Sequence, residues 1–360
     1  MPEWSDYNRP THMARRVLFV IRGKLGDTLE AFATVRKYAD AFPRDEITLL
    51  TRTGYAALLR GEQGVRIAGF SSRLGMIAIL MRLWLEPAFD ALLVIWGFGT
   101  PIKWIGRMVR ARRKIYLDGR YPSIYREHAD LSPHRLQSEP MWQVTRIFEP
   151  ALSQPGRLGV PSLAARRSTT PLAIGVAPLA DEPRRIMSPA TLACLLRAIA
   201  KLHPGAPIRV FLNVSDRGSA ELMTAGLPAG AEFFLFPQLE DLVRGFSDLA
   251  CIYCTDTGLY HLAASMGIPA TVFYGPTQPW RNMMPAQPDA RGARLEVLGN
   301  QHCEEKACES PACIDGAVRA FGGEPPPSSL DATPPRCPLR RHRLDDLTRI
   351  HWHENPRHQA

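Results

Sequence analysis

Short apolar runs alternate with amphipathic stretches along the first half of the chain. The runs have the length of buried strands, and the stretches between them have the spacing of helices. The pattern predicts strands at residues 17–21, 47–51, 91–96 and 114–117, and a helix from 28 to about 41. Such alternation is typical of a parallel sheet covered by helices on both faces.

The second half repeats this alternation after a segment rich in Pro, Gly and Ser/Thr at 154–171, which we interpret as an interdomain linker. The predicted strands are 172–176, 208–214, 232–236, 249–254 and 270–274, and the predicted helices are 189–202, 215–225, 239–246 and 257–266.

The predicted fold class is therefore α/β, with two doubly wound Rossmann-like domains that face a cleft. We assign residues 1–160 to an acceptor-binding domain, 161–300 to a donor-binding domain, and 301–360 to a Cys- and Pro-rich extension ending in a helix at 344–352. Open α/β sheets bind ligands beyond the carboxyl ends of their strands. The loops around Asp27 and Asp256 should both face the cleft.

The composition is that of a soluble globular protein, with 45% hydrophobic and 22% charged residues among 360. No apolar run reaches the roughly 20 residues that span a bilayer, and the polar start lacks a secretory signal, so we expect a cytoplasmic protein. The apolar segment 74–85 predicts a buried helix. The alternative is an interfacial helix that rests the protein on the inner membrane.

The net charge of +9 points to an anionic partner. Seven basic residues lie between 101 and 120 against one acid, Asp118. Nucleic acid, anionic lipid and a phosphorylated glycan would all suit such a patch, and a merely solvated face is the alternative.

The most specific motif is Asp256-Thr257-Gly258, followed by His261, where a predicted strand runs into a predicted helix. A helix start offers free backbone N–H groups to a phosphate, and Gly258 lets a ligand approach the backbone. His261 could add a side-chain donor; a capped helix with a core histidine is the alternative. The α/β alternation excludes an aspartic protease, and residues 23–26 lack a dinucleotide-binding fingerprint.

Three segments resemble glycosyltransferase family 9, the ADP-heptose heptosyltransferases. They are residues 25–29 (Leu-Gly-Asp-Thr-Leu), 256–261, and the turn at 274–279 (Tyr-Gly-Pro-Thr-Gln-Pro). The resemblance implies a glycosyltransferase B fold, an ADP-heptose donor, inversion at the anomeric carbon, and no metal for transfer.

The resemblance also implies roles for individual residues. Asp27 corresponds to the proposed general base, although an N-cap of the following helix is the alternative explanation for it. The implied donor site is made of Asp256, Thr257, Gly258, His261, Arg185 near the donor phosphate, and Asp216 near the ribose.

Four cysteines crowd a short C-terminal stretch: Cys303, Cys308, Cys313 and Cys337. Four thiolates can form a tetrahedral site, so we consider a structural zinc or iron ion beside unrelated surface thiols. The stretch resembles in composition the cysteine finger of family members that glycosylate autotransporters.

The leading hypothesis is transfer of heptose to a hydroxyl of the lipopolysaccharide inner core. The alternatives are heptosylation of an autotransporter Ser or Thr and a non-catalytic nucleotide-sugar binding protein. The expected partners are a nucleotide-sugar donor, an anionic glycolipid or protein acceptor and the inner-membrane surface, but no nucleic acid.

Overall fold

The computed structural model describes residues 14–130, 138–152, 159–213, 231–275, 295–299, 312–323 and 348–351. Within them the chain forms two sheets flanked by helices, which confirms the α/β fold class of two doubly wound units.

The first sheet is entirely parallel, in the order β3-β2-β1-β4-β5-β6. Its strands are β1 (Arg16–Ile21), β2 (Glu46–Arg52), β3 (Val65–Phe70), β4 (Phe89–Trp96), β5 (Ala111–Tyr116) and β6 (Glu127–His128). Its helices are α1 (Leu25–Ala41), α2 (Thr53–Leu59), α3 (Arg73–Leu85), α4 (Thr100–Met108) and α5 (Ser138–Phe148). The central strands β1 and β4 are apolar because helices cover both of their faces.

The second sheet follows the order β13-β12-β11-β10-β7-β8-β9 in the described part of the chain. Its strands are β7 (Ala173–Ala177), β8 (Ile208–Asn213), β9 (Ala231–Phe236), β10 (Leu249–Thr255), β11 (Ala270–Tyr274), β12 (Leu295–Gly299) and β13 (Thr348–His351). Its helices are α6 (Pro161–Ala164), α7 (Pro189–Leu202), α8 (Leu239–Phe246), α9 (Gly258–Ser265) and α10 (Ala312–Gly322), with a 3₁₀ turn at Pro183–Arg185.

The chain order reverses once near the centre of each sheet, between β1 and β4 in the first and between β7 and β10 in the second. At such a switch point the loops leave the sheet in opposite directions and open a crevice for ligands. The loops after β1, β7 and β10 therefore occupy the positions where this topology places a binding site.

The helix predicted at 344–352 is wrong, because Thr348–His351 forms β13, antiparallel to β12. The β-branched residues Thr348 and Ile350 alternate along this segment, and the edge of β12 offers unpaired backbone groups. The strand preference of these residues and their pairing with β12 together outweigh the weak helical pattern of the segment.

Helix α10 is an element that the sequence analysis did not predict. It packs on α7, and Ile314 and Val318 belong to the apolar core beside the second sheet. The domain boundaries at 160 and 300 stay a prediction.

Helix α3 is buried on one face only. Met76, Leu80 and Leu83 face the core, whereas Leu74 and Leu85 are strongly exposed. The prediction of a buried helix is therefore wrong for half of its surface. No helix within the described ranges has both the length and the apolar character needed to cross a membrane.

Candidate active site

Asp27 lies in the first turn of α1, directly after β1. Its carboxylate accepts a hydrogen bond from the backbone N–H of Lys24 at 2.9 Å, and Lys24, not Asp27, is the N-cap. The N-cap explanation for Asp27 is thus wrong in position, although the residue does help to cap the helix. Gly23 permits this turn, because a Cβ there would stand 2.5 Å from the Cβ of Asp27.

The Asp256-Thr257-Gly258 motif lies between β10 and α9. Thr257 is the N-cap residue, so the helix start with its free N–H groups falls where the sequence predicted it. Asp256 is buried and lies 3.3 Å from a guanidinium nitrogen of Arg185. The structure therefore brings Arg185 to the predicted donor motif.

The two motif-bearing loops touch each other across the cleft. A Cβ on Gly26 would stand 2.7 Å from Cδ2 of His261, and a Cβ on Gly258 would stand 3.2 Å from the backbone nitrogen of Gly26. Only glycine fits at Gly26 without displacing a neighbour. Asp27, which follows Gly26 directly, is therefore held beside the start of α9.

His261 is buried at this contact, and burial lowers its pKa to about 3. The imidazole is consequently neutral at physiological pH and has one N–H to donate. Its Nδ1 atom has no hydrogen-bond partner in the described structure. The predicted contact of His261 with a phosphate oxygen would therefore be a hydrogen bond from a neutral imidazole and not an ion pair.

Glu30, one turn after Asp27 on α1, is an acidic residue that the sequence analysis missed. Its side chain is 2% exposed, and its Oε1 atom lacks a hydrogen-bond partner in the described structure. Burial raises its pKa well above the usual value, and the charges of Asp27 and Asp256 add to this shift. The signal available in the sequence was a single acid among the mostly apolar residues 28–35 of α1.

A salt bridge joins the loop after β1 to the loop after β7. The ammonium of Lys24 lies 2.7 Å from a carboxylate oxygen of Asp181, and both side chains are exposed. The hydrogen bond to Asp181 raises the pKa of Lys24. An exposed pair of this kind contributes little stability, but it places a cation at the rim of the cleft.

A cavity of about 830 Å³ opens at the carboxyl ends of β1, β2 and β3. Three arginines line it, Arg22, Arg52 and Arg73, together with apolar groups such as Met76 and Trp104. Burial lowers the pKa of Arg22, and the positive charge of Arg52 lowers it further. Among the described residues no carboxylate pairs with any of the three arginines. The cavity is therefore suited to an anionic ligand.

Sequence reasoning missed these arginines, although each of them ends or closely follows a strand that points to the cleft.

The basic residues of segment 101–120 are less available to an anionic partner than the sequence implied, because several of them are already engaged within the protein. Arg113 pairs with Glu127, Arg112 with Asp90, and Arg120 with Asp118. Lys114 donates to the backbone of Gly106, and burial lowers its pKa.

Several predicted site residues lie outside the described residues: Asp216, Cys303, Cys308, Cys337 and the turn from residue 276 onward. Cys313 is described and is buried in α10. The described ranges contain no cluster of His, Cys, Asp or Glu that could hold a metal ion.

The solved structures that share this fold include the following three. A family 9 glycosyltransferase from Veillonella parvula DSM 2008 has a TM-score of 0.66 at 13% identity and covers 86% of this chain and 97% of its own. E. coli heptosyltransferase WaaC with ADP has a TM-score of 0.63 at 18% identity, covering 77% and 95%. E. coli ADP-heptose lps heptosyltransferase II has a TM-score of 0.64 at 16% identity, covering 85% and 98%.

Residues 219–314 also match glycosyltransferase family 9 (heptosyltransferase) as a sequence family. A search of curated proteins found no match. The shared architecture is the glycosyltransferase B fold. The family match over residues 219–314, together with this fold, supports a glycosyltransferase. The family match and the solved structures together support glycosyltransferase family 9, as the motifs indicated.

Proposed function

We propose that this protein transfers heptose from ADP-heptose to a hydroxyl of an anionic acceptor in the lipopolysaccharide inner core, with inversion at the anomeric carbon. The observation that supports this most is the contact between Gly26 and His261. It joins the loop that carries the candidate base to the helix start that suits a diphosphate, at the switch points of both sheets.

On the donor side, the start of α9 offers backbone N–H groups to the diphosphate, and Gly258 leaves room for close approach. Arg185, which pairs with both Asp256 and Glu182, places its guanidinium beside them. The solved heptosyltransferase with ADP supports a nucleotide donor for this fold. Asp216, implied near the ribose by the resemblance, completes the proposed donor set.

On the acceptor side, the arginine-lined cavity includes Arg22, which lies between β1 and the first turn of α1 that carries Asp27. An anionic sugar held there would present a hydroxyl to the cleft. Arg22 and Arg52 would neutralise its charge in a partly desolvated place, where such contacts are strong.

Inversion requires attack on the anomeric carbon from the face opposite the diphosphate. In the proposed step Asp27 accepts the proton of the acceptor hydroxyl while the new C–O bond forms. The bond between the anomeric carbon and the phosphate oxygen breaks, and ADP leaves with the bonding electron pair. Arg185 and the helix start stabilise the charge that grows on the departing diphosphate.

The test combines the purified full chain with ADP-heptose and an inner-core acceptor that lacks heptose. We expect release of ADP together with a heptosylated acceptor of inverted anomeric configuration by NMR. UDP- and GDP-sugars in parallel reactions check the nucleotide, and an autotransporter passenger checks a protein acceptor. Binding of ADP-heptose without turnover on either acceptor would contradict the proposal and favour a non-catalytic binding protein.

A further inference from the structure

The first domain carries an exposed apolar stripe on α3. Leu74, Ala78, Met81 and Leu85 follow one another at the spacing of a single helix face, and all four are exposed. Leu74 and Leu85 are 79% and 76% exposed. A face of this kind is unfavourable in water and usually marks an interaction surface.

This concentration is particular to α3 and α4. The described residues include eight large hydrophobic side chains with strong exposure, and five of them lie on these two helices: Leu74, Met81, Trp84, Leu85 and Trp104. Helix α3 is held in place by its opposite face, so the stripe has a fixed orientation on the surface of the protein.

The charges on α3 and α4 themselves are all positive. Arg73 and Arg82 flank it on α3, and Arg107 follows on α4, while neither helix contains an acid. Arg110 lies over the ring of Trp84 at 5.5 Å. The acid that follows α3, Glu86, is engaged with Arg16 and Arg66.

We propose that α3 and α4 form a membrane-docking face that rests on an anionic lipid leaflet. The stripe would enter the boundary between headgroups and acyl chains, as apolar helix faces flanked by Lys and Arg do. The arginines would lie among the anionic headgroups. Trp84 and Trp104 have the amphipathic rings that prefer this interface.

The docking face is continuous with the arginine-lined cavity. Arg73 and Met76 of α3 and Trp104 of α4 line that cavity as well. Docking would therefore hold the cavity mouth at headgroup level, where the sugar part of a glycolipid enters while its acyl chains stay in the bilayer. This coupling rests on the proposed acceptor site, whereas the docking itself does not.

The experiment is flotation of the full chain with vesicles of phosphatidylethanolamine and phosphatidylglycerol, compared with vesicles of phosphatidylcholine. We expect binding to the anionic vesicles, and a loss of at least about tenfold in the double variant Leu74→Gln/Leu85→Gln, because buried leucines supply much of such binding. The matched control Leu172→Gln/Leu202→Gln removes two exposed leucines from the second domain and should bind like the parent.

A second pair of variants tests the arginines that flank the stripe. Arg82→Gln/Arg107→Gln should reduce binding about tenfold or more, given the usual contribution of a basic residue near an anionic surface. Arg166→Gln/Arg244→Gln removes the same charge from the second domain and should leave binding unchanged.

Equal binding by the parent and the stripe variant, or equal loss in the controls, would overturn the proposal. A parent dimer that the stripe variant converts to a monomer, without vesicle binding by either, would assign the face to a second copy of the chain instead.

The stripe variant should retain turnover on a water-soluble core oligosaccharide and lose it on a vesicle-embedded acceptor. Absence of turnover on the soluble acceptor by the parent would count against the proposed function, and flotation would still decide the docking.

Discussion

The imidazole of His261 packs on the backbone of Gly26, so that the helix start of the second domain is fitted to the loop of the first. A Cβ on Gly26 would lie 2.7 Å from the ring carbon Cδ2. This distance is shorter than any ordinary contact, and the pair therefore fixes how closely the two candidate site loops approach each other.

Replacing Gly26 by alanine should destabilise the protein by about 1–3 kcal/mol, the usual effect of overpacking. The matched control is the double variant Gly26→Ala/His261→Ala, in which the imidazole is gone and the added methyl has room. A double-mutant cycle measured by urea unfolding should show a coupling of about 0.5–3 kcal/mol between the two sites. Strict additivity would contradict the contact.

Titration of His261 should make folding stability fall in mild acid. Burial lowers its folded pKa to about 3, against an ordinary value of 6.5, so the unfolded chain takes up a proton that the folded chain refuses. The contribution is fully present above pH 6.5 and should fall by about 2 kcal/mol by pH 5. Urea unfolding of the parent and of His261→Asn, at pH 5 and at a pH above 6.5, isolates the contribution of His261 to the free energy of unfolding. A difference below about 0.5 kcal/mol would indicate an accessible histidine.

Glu30 should affect stability in the opposite direction. Its folded pKa is raised by burial and then by two neighbouring carboxylates, so the folded state holds a proton that the unfolded chain releases above the ordinary pKa of 4.5. The destabilisation grows as the pH rises through this window. Glu30→Gln should therefore raise the melting temperature at neutral pH by a few degrees, since about 2–4 °C corresponds to 1 kcal/mol. The gain should vanish below pH 4.5. A gain that does not vary with pH would refute the assignment.

Arg22 and Arg52 should govern the affinity for the acceptor. Arg22→Gln and Arg52→Gln should each raise the acceptor KM by about tenfold or more, the usual effect of losing a charge-assisted contact, and leave the donor KM unchanged. The matched control Arg112→Gln removes an exposed arginine that pairs with Asp90 away from the cavity. An equal rise in the donor KM would place these arginines in the donor site instead.

Much of the fold could be predicted because buried parallel strands leave continuous apolar runs in the sequence. The predictions at 189–202, 239–246 and 270–274 agree with α7, α8 and β11. Strand β3 was missed because its central residues are only half-buried and its sequence, VRIAGF, lacks a clear run. The terminal strand β13 depends on pairing with β12, which no local pattern reveals.

The sequence could predict the parts of the candidate site that lie within one short segment. It could not predict the parts that combine residues from distant segments. Asp27 and the 256–261 motif belong to single loops, and the structure brings them together. The cavity combines Arg22, Arg52 and Arg73 from the ends of three strands, so its charge is invisible until the strand order is known. The metal predicted for the four C-terminal cysteines stays a prediction, which metal analysis of protein purified without chelator can test.

The proposed role of Asp27 as the general base is the central claim, and Asp27→Asn tests it most directly. The asparagine oxygen can still accept the hydrogen bond from the Lys24 N–H that closes the first turn of α1. The loss of charge at the helix start should lower stability by no more than about 1 kcal/mol. Melting temperature and ADP-heptose binding serve as controls for fold and site.

The decisive measurement is turnover of ADP-heptose and inner-core acceptor by Asp27→Asn and by the parent protein, at equal donor occupancy. The account predicts a fall of roughly 10² to 10⁴, the usual contribution of general base catalysis, with donor binding retained. Turnover within about threefold of the parent, less than any base of this kind contributes, would contradict it and leave Asp27 as a residue that only caps α1.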